Sequence, residues 1–147
     1  ILNHLDFLVV NEHEAELLGK QKGIDATDKV AFAIEMHNRY GVTAICTLGP
    51  NGAVCCHDNE ILRVNALKVK AIDTIGAGDA FMGYLCAALD KKKPLGAAMS
   101  EASIAGSLAC TKIGAQSAIP VPEEISEYLS QINVEVSKVG EACKMAS

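Results

Sequence analysis

Short, continuous apolar runs alternate along the chain with longer segments in which apolar residues recur every three or four positions. The runs at residues 5–10 (LDFLVV) and 42–48 (VTAICTL) have the length and composition of strands buried in a parallel sheet. Helix-like segments follow the first run and precede the second one. This alternation predicts an α/β fold.

Capping residues mark the ends of the first two predicted helices. Asn11 follows the first strand and can cap a helix that we expect to stop at Gly19. Thr27 or Asp28 can cap the second helix, which we expect to end at Gly41.

The rest of the chain predicts a strand pair and three further helices. Residues 53–57 and 60–65 flank Asp58 and Asn59 as the strands of an antiparallel hairpin would. Helices are expected after Gly78 and over residues 95–112 and 123–132, and Pro122 suits the first turn of the last one. Because patterning weakens afterwards, we expect a folded part, 1–132, and a tail, 133–147, that is loosely ordered.

Composition narrows the class of protein. The chain has 147 residues, and 13 basic against 18 acidic residues give a net charge of -5, which argues against a nucleic-acid surface. No apolar run is long enough to span a bilayer. The six cysteines show no C-x-x-C spacing, which favours free thiols in a reducing, cytoplasmic compartment. Because the chain opens on Ile1, we expect a piece of a longer protein, whose targeting signal could be missing.

Residues 71–81 (AIDTIGAGDAF) place Asp73 and Asp79 on either side of a Gly76-Ala77-Gly78 turn, where a helix-like pattern begins. One interpretation is structural, because glycine permits turns and Asp caps helices. The other is chemical. Bare amides at a helix N-terminus can bind an anion, and a carboxylate beside them can accept a proton from a substrate hydroxyl.

Two common phosphate-binding motifs are absent from the sequence. The dinucleotide pattern G-x-G-x-x-G fails because Phe81 stands at the position of the third glycine. The P-loop pattern fails because Gln21 follows Gly19 and Lys20. A phosphate site here must therefore be of another kind, and a dehydrogenase-type domain is disfavoured.

Four motifs, taken in order, make the sequence resemble the ribokinase-like carbohydrate kinases. They are NEHEAELL at 11–18, CTLGPNG at 46–52, DTIGAGDAF at 73–81 and TKIGAQSAIP at 111–120. The resemblance covers residues 5 to about 130. It implies the C-terminal half of a ribokinase-like fold, which is a three-layer α/β/α arrangement with a mainly parallel sheet plus an antiparallel hairpin. The missing N-terminal half of the same chain would carry the lid.

The resemblance also implies roles for individual residues. Asp79 would be the catalytic base that deprotonates the sugar hydroxyl. The amides of Gly76, Ala77 and Gly78 would form the anion hole for the transferred phosphoryl group. Ser103 falls where the family lines its adenine pocket, although close helix packing is an equal alternative.

Further residues match the family's nucleotide motifs. Asn11 and Glu14 lie in the motif that organises Mg²⁺, through water, and phosphate; the alternative is a plain helix cap in which Glu14 closes a capping box. Thr47 and Gly49 match the loop that faces the phosphates of ATP, and Gly52 serves the turn of that loop.

A monovalent cation, K⁺, is implied by the same resemblance. Its expected ligands are the side chain of Asp73, the carbonyls of Ile75, Ala109, Lys112 and Gly114, and Ser117. The sequence departs from the family pattern at Ala118, which stands where ribokinases have serine. Either Ser117 compensates or the cation site is altered.

The implied reaction is ATP-dependent phosphorylation of a sugar hydroxyl, with D-ribose as the expected substrate and ribose 5-phosphate as the product. A fructokinase, a nucleoside kinase and a non-catalytic nucleotide-binding module are the alternatives, and the retained Asp79 argues against the last. We expect the chain alone to be inactive, because the substrate-selecting half is expected to lie outside it. The family's habit of dimerising implies a homodimer of the full-length protein.

Overall fold

A computed structural model of the chain describes residues 2–114 and 119–140. These residues form two compact units, which are described separately. The first unit comprises residues 2–49, 53–63 and 135–140, and the second comprises residues 50–52, 64–114 and 119–134.

Five strands form one sheet, and their spatial order follows the sequence. They are β1 Phe7–Asn11, β2 Thr43–Thr47, β3 Ala53–His57, β4 Glu60–Val64 and β5 Val134–Lys138. The sheet belongs to the first unit except for the end residues Val64 and Val134. β1 and β2 run parallel, whereas β2 and β3 run antiparallel, so the sheet is mixed rather than mainly parallel. The short link between β2 and β3 requires this, because a parallel pair needs a long crossover.

The predicted hairpin is confirmed. Asp58 and Asn59 connect β3 to β4 and have φ angles of 49° and 61°. A two-residue turn with two positive φ angles matches the right-handed twist of the strands on either side, and Asn and Asp tolerate it.

The first helix, α1 Glu12–Lys22, continues through Gly19, so the predicted stop there is wrong. It ends at Gly23, whose φ of 67° is the left-handed conformation that glycine adopts freely. Gly19 is buried, and a Cβ on it would lie only 2.5 Å from the carbonyl oxygen of Ile24. Gly19 therefore makes room for the returning chain, and Gly23 provides the turn.

The second helix, α2 Lys29–Tyr40, ends at Gly41 as predicted. Asp28 is the cap, because its Oδ1 accepts the amides of Val30 at 2.9 Å and Ala31 at 3.3 Å. The helix packs on β2 and β3 through three fully buried residues, Phe32, Ala33 and Met36. These residues form the core of the first unit with Ala44, Cys46 and Val54 of the sheet.

The second unit is built on three helices, α3 Ala77–Asp90, α4 Leu95–Ala109 and α5 Pro122–Tyr128. α3 packs against α4, and small residues allow a close approach. A Cβ on Gly106 would lie 3.3 Å from the carbonyl oxygen of Ala77. α5 begins at Pro122 as predicted but gives way to a 3₁₀ turn, Leu129–Gln131, before its expected end.

Strand β5 lies in the stretch 133–147 that we expected to be loosely ordered. It forms one edge of the sheet, next to β4. Its apolar residues Val134 and Val136 are 40% and 54% exposed, so no buried face produces the alternation by which a strand is recognised.

Cysteines and helix length agree with the expectations from composition. All five cysteines in the described ranges are free thiols, and three of them, Cys46, Cys55 and Cys56, are buried. Across residues 2–114 and 119–140, every helix is too short or too polar to cross a bilayer.

Candidate active site

The amino end of α3 is bare. Gly76 precedes the helix with a φ of 87° and has no side chain with which to cap the first amides. Only glycine adopts this conformation without strain. Apart from its own helical turn, no atom of the described residues lies within 4 Å of the place that a Cβ on Gly78 would occupy, so this part of the chain leaves the surface of the first turn open.

One of the three amides expected in the anion hole is already paired. The amide of Ala77 donates to the carbonyl of Thr74 at 3.2 Å and closes a tight turn before the helix. Among the described residues, the amides of Gly76, Gly78 and Asp79 have no acceptor. The open amides therefore differ from the expected set, because Ala77 is engaged and Asp79 offers its own N–H.

Asp79 is the third residue of α3 and is exposed. Within the part of the chain that the structure describes, its carboxylate has no hydrogen-bond or ion-pair partner. Asp79 also lines a cavity of about 430 Å³, whose other walls come from α3, from Lys91 and Lys93, from Glu101 of α4 and from residues 119–126. The side chain is therefore available to a hydroxyl placed beside the open amides.

Asp73 fastens the turn that precedes α3. Its Oδ1 accepts the amide of Ile75 at 2.9 Å, and its Oδ2 accepts the amide of Gly114 at 3.4 Å. The carbonyl of Cys110 accepts the amides of Ile72 and Asp73 at 2.7 and 3.1 Å. The residues after α4 are thereby held to the turn that begins α3.

The residues expected to hold K⁺ are brought together in part. The carboxylate of Asp73 accepts the amides of both Ile75 and Gly114, so these three expected residues lie next to one another. The carbonyl of Ala109 accepts the amide of Lys112 at 3.4 Å. One carboxylate and several carbonyls are donors that fit a hard cation. Ser117 and Ala118 lie outside the described residues.

In the first unit, the parallel strands β1 and β2 place two predicted residues side by side. Asn11 and Thr47 are direct partners in the register of the two strands, each at the carboxyl end. Thr47 Oγ1 lies 3.4 Å from the carbonyl oxygen of Val10, which is a weak hydrogen bond. Open α/β sheets bind their ligands outside this edge.

Asn11 and Glu14 form a capping box at the start of α1. Asn11 Oδ1 accepts the Glu14 amide at 2.8 Å, and Glu14 Oε2 accepts the Asn11 amide at 3.0 Å. The helix-cap alternative is therefore observed. The box uses one carboxylate oxygen of Glu14, and both residues are exposed, so water-mediated binding of a hard cation such as Mg²⁺ fits them.

Two glycines of the CTLGPNG motif differ in their surroundings. Gly49 has a φ of 56° and opens the 3₁₀ turn Gly49–Asn51, and a Cβ on Gly49 would meet no atom of the described residues within 4 Å. Gly52 is buried with a φ of 88°, and a Cβ on it would overlap the carbonyl oxygen of Val64. Gly52 therefore serves the close approach of two chain segments, which is the turn role expected for it.

Ser103 is buried in α4, and its Oγ donates to the carbonyl of Asn65 at 2.7 Å. Ser107, one turn later, donates to the carbonyl of Ser103 at 2.9 Å and accepts the amide of Leu67 at 3.1 Å. The hydroxyl of Ser103 is thus used to attach residues 65–67 to α4. This is the packing role that the sequence left open.

Tyr84 was missed by the sequence reasoning. It lies five residues after Asp79, and its hydroxyl donates to the carbonyl of Pro120 in a short hydrogen bond. Burial raises the pKa of Tyr84, and the carboxylates of Glu124, Glu123 and Glu101 raise it further. A single tyrosine in a helical pattern carries no signal that distinguishes such a tether from core packing.

Comparison with known proteins agrees with this architecture. The family model for pfkB family carbohydrate kinases matches residues 1–122. The ribokinase of Haemophilus influenzae is 33% identical over 129 residues, which are 88% of this chain and 42% of that protein. The crystal structure of the ribokinase of Thermotoga maritima superposes with a TM-score of 0.79 at 34% identity, covering 88% of this chain and 44% of that one.

A ribokinase of Cryptococcus neoformans, solved in complex with ADP, has a TM-score of 0.76 at 32% identity and covers 86% of this chain and 46% of that one. The chain belongs to the pfkB family of carbohydrate kinases, which confirms the predicted resemblance and the predicted ribokinase-like fold. It spans less than half the length of the relatives it matches.

Proposed function

We propose that this chain is the nucleotide-binding and catalytic part of an ATP-dependent sugar kinase that converts D-ribose to ribose 5-phosphate. One observation carries the proposal: among residues 2–114 and 119–140, the amides of Gly78 and Asp79 in the first turn of α3 have no acceptor, and the exposed carboxylate of Asp79 beside them has no partner. The ribokinases among the relatives favour ribose over fructose or a nucleoside.

Asp79 acts as the general base. Its carboxylate takes the proton of the sugar hydroxyl, and that oxygen forms a bond to the γ-phosphorus of ATP. The bond from this phosphorus to the bridging oxygen breaks, and ADP leaves with the electron pair. Charge spreads over the outer oxygens of the moving group, where the open amides of Gly76, Gly78 and Asp79 stabilise it. A positioned base contributes about 10²–10⁴ in rate.

Other residues are proposed to bind the nucleotide and its cations. In the first unit, Thr47 and Gly49 face the phosphates, while Asn11 and Glu14 hold Mg²⁺ through water. When bound, Mg²⁺ neutralises charge on the phosphates. In the second unit, Ser103 lies in the helix that borders the adenine. Asp73 and the carbonyls near it hold K⁺ and fix the turn that carries the open amides.

The decisive experiment is a kinase assay on the full-length gene product that carries these residues. With ATP, Mg²⁺, K⁺ and ribose it releases ADP and forms ribose 5-phosphate. A panel of pentoses, hexoses and nucleosides tests the choice of sugar. If fructose or a nucleoside turns over faster than ribose, that compound and not ribose is the substrate. ADP binding without turnover on any member of the panel would instead identify a non-catalytic nucleotide-binding module.

The 147-residue chain and the full-length product are expected to differ. The chain alone binds nucleotide weakly at best and phosphorylates nothing, because the sugar lid of the family lies outside the motifs found here. Sugar phosphorylation by the chain alone would refute this. We also propose that the full-length protein is a homodimer, which analytical ultracentrifugation tests.

A further inference from the structure

Asn65 follows β4 and connects separate parts of the second unit. Its backbone carbonyl accepts the hydroxyl of Ser103 at 2.7 Å. Its side-chain Oδ1 accepts the amide of Asn133 at 2.7 Å, and its Nδ2 donates to the carbonyl of Gln131 at 3.0 Å. Asn65 thus holds α4 on one side and the segment after α5 on the other. We call these three hydrogen bonds the clamp.

The chemistry of this clamp requires an amide side chain. Asn offers an acceptor and a donor on neighbouring atoms, whereas Asp offers acceptors only and Ala offers neither. Gln131 and Asn133 lie beyond residues 1–122, the part that the family model matches. The clamp therefore ties a segment outside the family match to a residue inside it.

The clamp lies beside the turn of the CTLGPNG motif. Asn65 lines a cavity of about 340 Å³ together with Pro50, Asn51, Lys68 and Gln131. Gly52, at the end of the turn, approaches the backbone so closely that a Cβ on it would lie 2.8 Å from the carbonyl carbon of Asn65. The backbone that the clamp fixes is therefore the surface on which this turn rests.

We propose that Asn65 is a positioning residue for the adenine end of the nucleotide, held in place by residues 131–133. It acts through its backbone carbonyl, which accepts the hydroxyl of Ser103 on α4, and its side chain does not touch the nucleotide. The inference rests on the proposed function, because that function places the adenine beside α4. It adds a residue and a C-terminal segment that none of the four motifs contains.

This role predicts which ligands bind more weakly when the clamp is lost. In Asn65→Ala the side-chain hydrogen bonds to Gln131 and Asn133 are lost, and ADP is expected to bind about five- to tenfold more weakly. Asn65→Asp keeps the acceptor for the Asn133 amide and loses the donor, so its loss is smaller. Inorganic pyrophosphate has no adenine, so its affinity is unchanged in both variants. The matched control is Asn38→Ala on the exposed side of α2.

Isothermal titration calorimetry of the full-length gene product with ADP and, separately, with pyrophosphate tests the proposal. Each variant is titrated at a temperature below its own unfolding midpoint. Weaker ADP binding in the order Ala, Asp, wild type, with constant pyrophosphate binding, supports it. Equal ADP affinity, or equal weakening for both ligands, overturns it and leaves the proposed function intact. If wild type binds neither ligand, the proposed function fails as well. If Asn65→Ala does not fold, Asn65→Asp decides by the same contrast.

Discussion

The helices α1 and α3 begin in opposite ways. At α1, Asn11 and Glu14 satisfy each other's amides at 2.8 and 3.0 Å. At α3, Gly76 provides no side-chain cap, and the amides of Gly78 and Asp79 have no acceptor among the residues described. A missing cap leaves a helix less stable by about 0.5–2 kcal/mol. α3 therefore lacks the stabilisation that a cap provides, and α1 has it.

An open helix end is not distinctive by itself. α4 also lacks a side-chain cap, because Pro94 precedes it. What separates α3 from α4 is the exposed carboxylate of Asp79 within the first turn and the bare surface at Gly78. The comparison between α1 and α3 therefore distinguishes amides used for stability from amides kept for a ligand, and substitutions in the first turn of each helix test this distinction.

The largest effect is expected from Asp79→Asn in the full-length product. Without a base in the first turn of α3, kcat falls by about 10²–10⁴. ADP affinity stays within about twofold, because the amides are unchanged. Steady-state kinetics and titration with ADP measure the two quantities. Asp90→Asn, at the exposed end of the same helix, is the matched control. Turnover at the wild-type rate in Asp79→Asn would show that Asp79 is not the general base.

Gly78→Ala is expected to change stability and binding in opposite directions. A Cβ there meets no atom within 4 Å in the part of the chain that the structure describes, and Ala is favoured over Gly in a helix by about 0.5–1 kcal/mol. The added methyl group obstructs the approach of a phosphoryl group to the amides, and we expect kcat/KM to fall roughly tenfold or more. Urea unfolding and kinetics on one variant give both values. If both stability and kcat/KM rise, the amides do not serve an anion.

Alkaline pH is expected to weaken the sheet of the first unit. Burial raises the pKa of Cys46 and of Cys55 from 9.0 to about 12. Since the folded state favours the neutral thiols, their contribution is complete below pH 9 and is lost as pH rises from 9 towards 12. At pH 10 we expect about 1 kcal/mol less unfolding free energy per thiol.

Urea unfolding between pH 7 and pH 11 measures this loss, and Cys55→Ala should reduce the slope above pH 9. Cys86→Ser, at an exposed thiol, is the control and should leave the slope unchanged. A flat profile to pH 11 would show that these thiols ionise as easily in the folded protein as in the unfolded chain.

The smallest effect belongs to the capping box of α1. Asn11→Ala should lower the free energy of unfolding by about 1 kcal/mol, because it leaves the Glu14 amide without its acceptor. Glu14→Gln keeps the box, since Gln also serves at this position, but it removes the charge. We expect it to fold as wild type and to require more Mg²⁺ for kinase activity. Unchanged Mg²⁺ dependence would leave Glu14 with a structural role only.

Features set by local pattern could be predicted from the sequence. The hairpin across Asp58 and Asn59, the end of α2 at Gly41 and the start of α5 at Pro122 each depend on residues next to one another in the chain. The end of α1 could not be predicted, because Gly19 and Gly23 are equally able to stop a helix. Only the contact of Gly19 with Ile24 decides between them.

The residues of the candidate site also divide into those that the sequence identifies and those that only the folded structure identifies. The motif at 73–81 identified Asp79 and the bare turn, because glycines before a helix are visible in the sequence. Pairing of the Ala77 amide with Thr74 depends on backbone angles that residue types do not fix. Asn65 carries no motif, and its partners Gln131 and Asn133 are 66 and 68 residues away in the chain, so only the folded structure reveals it.

The central claim is that the first turn of α3 keeps its amides for phosphate. NMR of the ¹⁵N-labelled full-length product, titrated with ATP in the absence of Mg²⁺ and sugar, tests it most directly, because ATP carries the γ-phosphate that these amides are proposed to bind. The account predicts that the amide resonances of Gly76, Gly78 and Asp79 shift on binding, while those of Asn11 and Glu14, already paired in the capping box, stay in place. Saturation with ATP that leaves the three α3 resonances unmoved would contradict it.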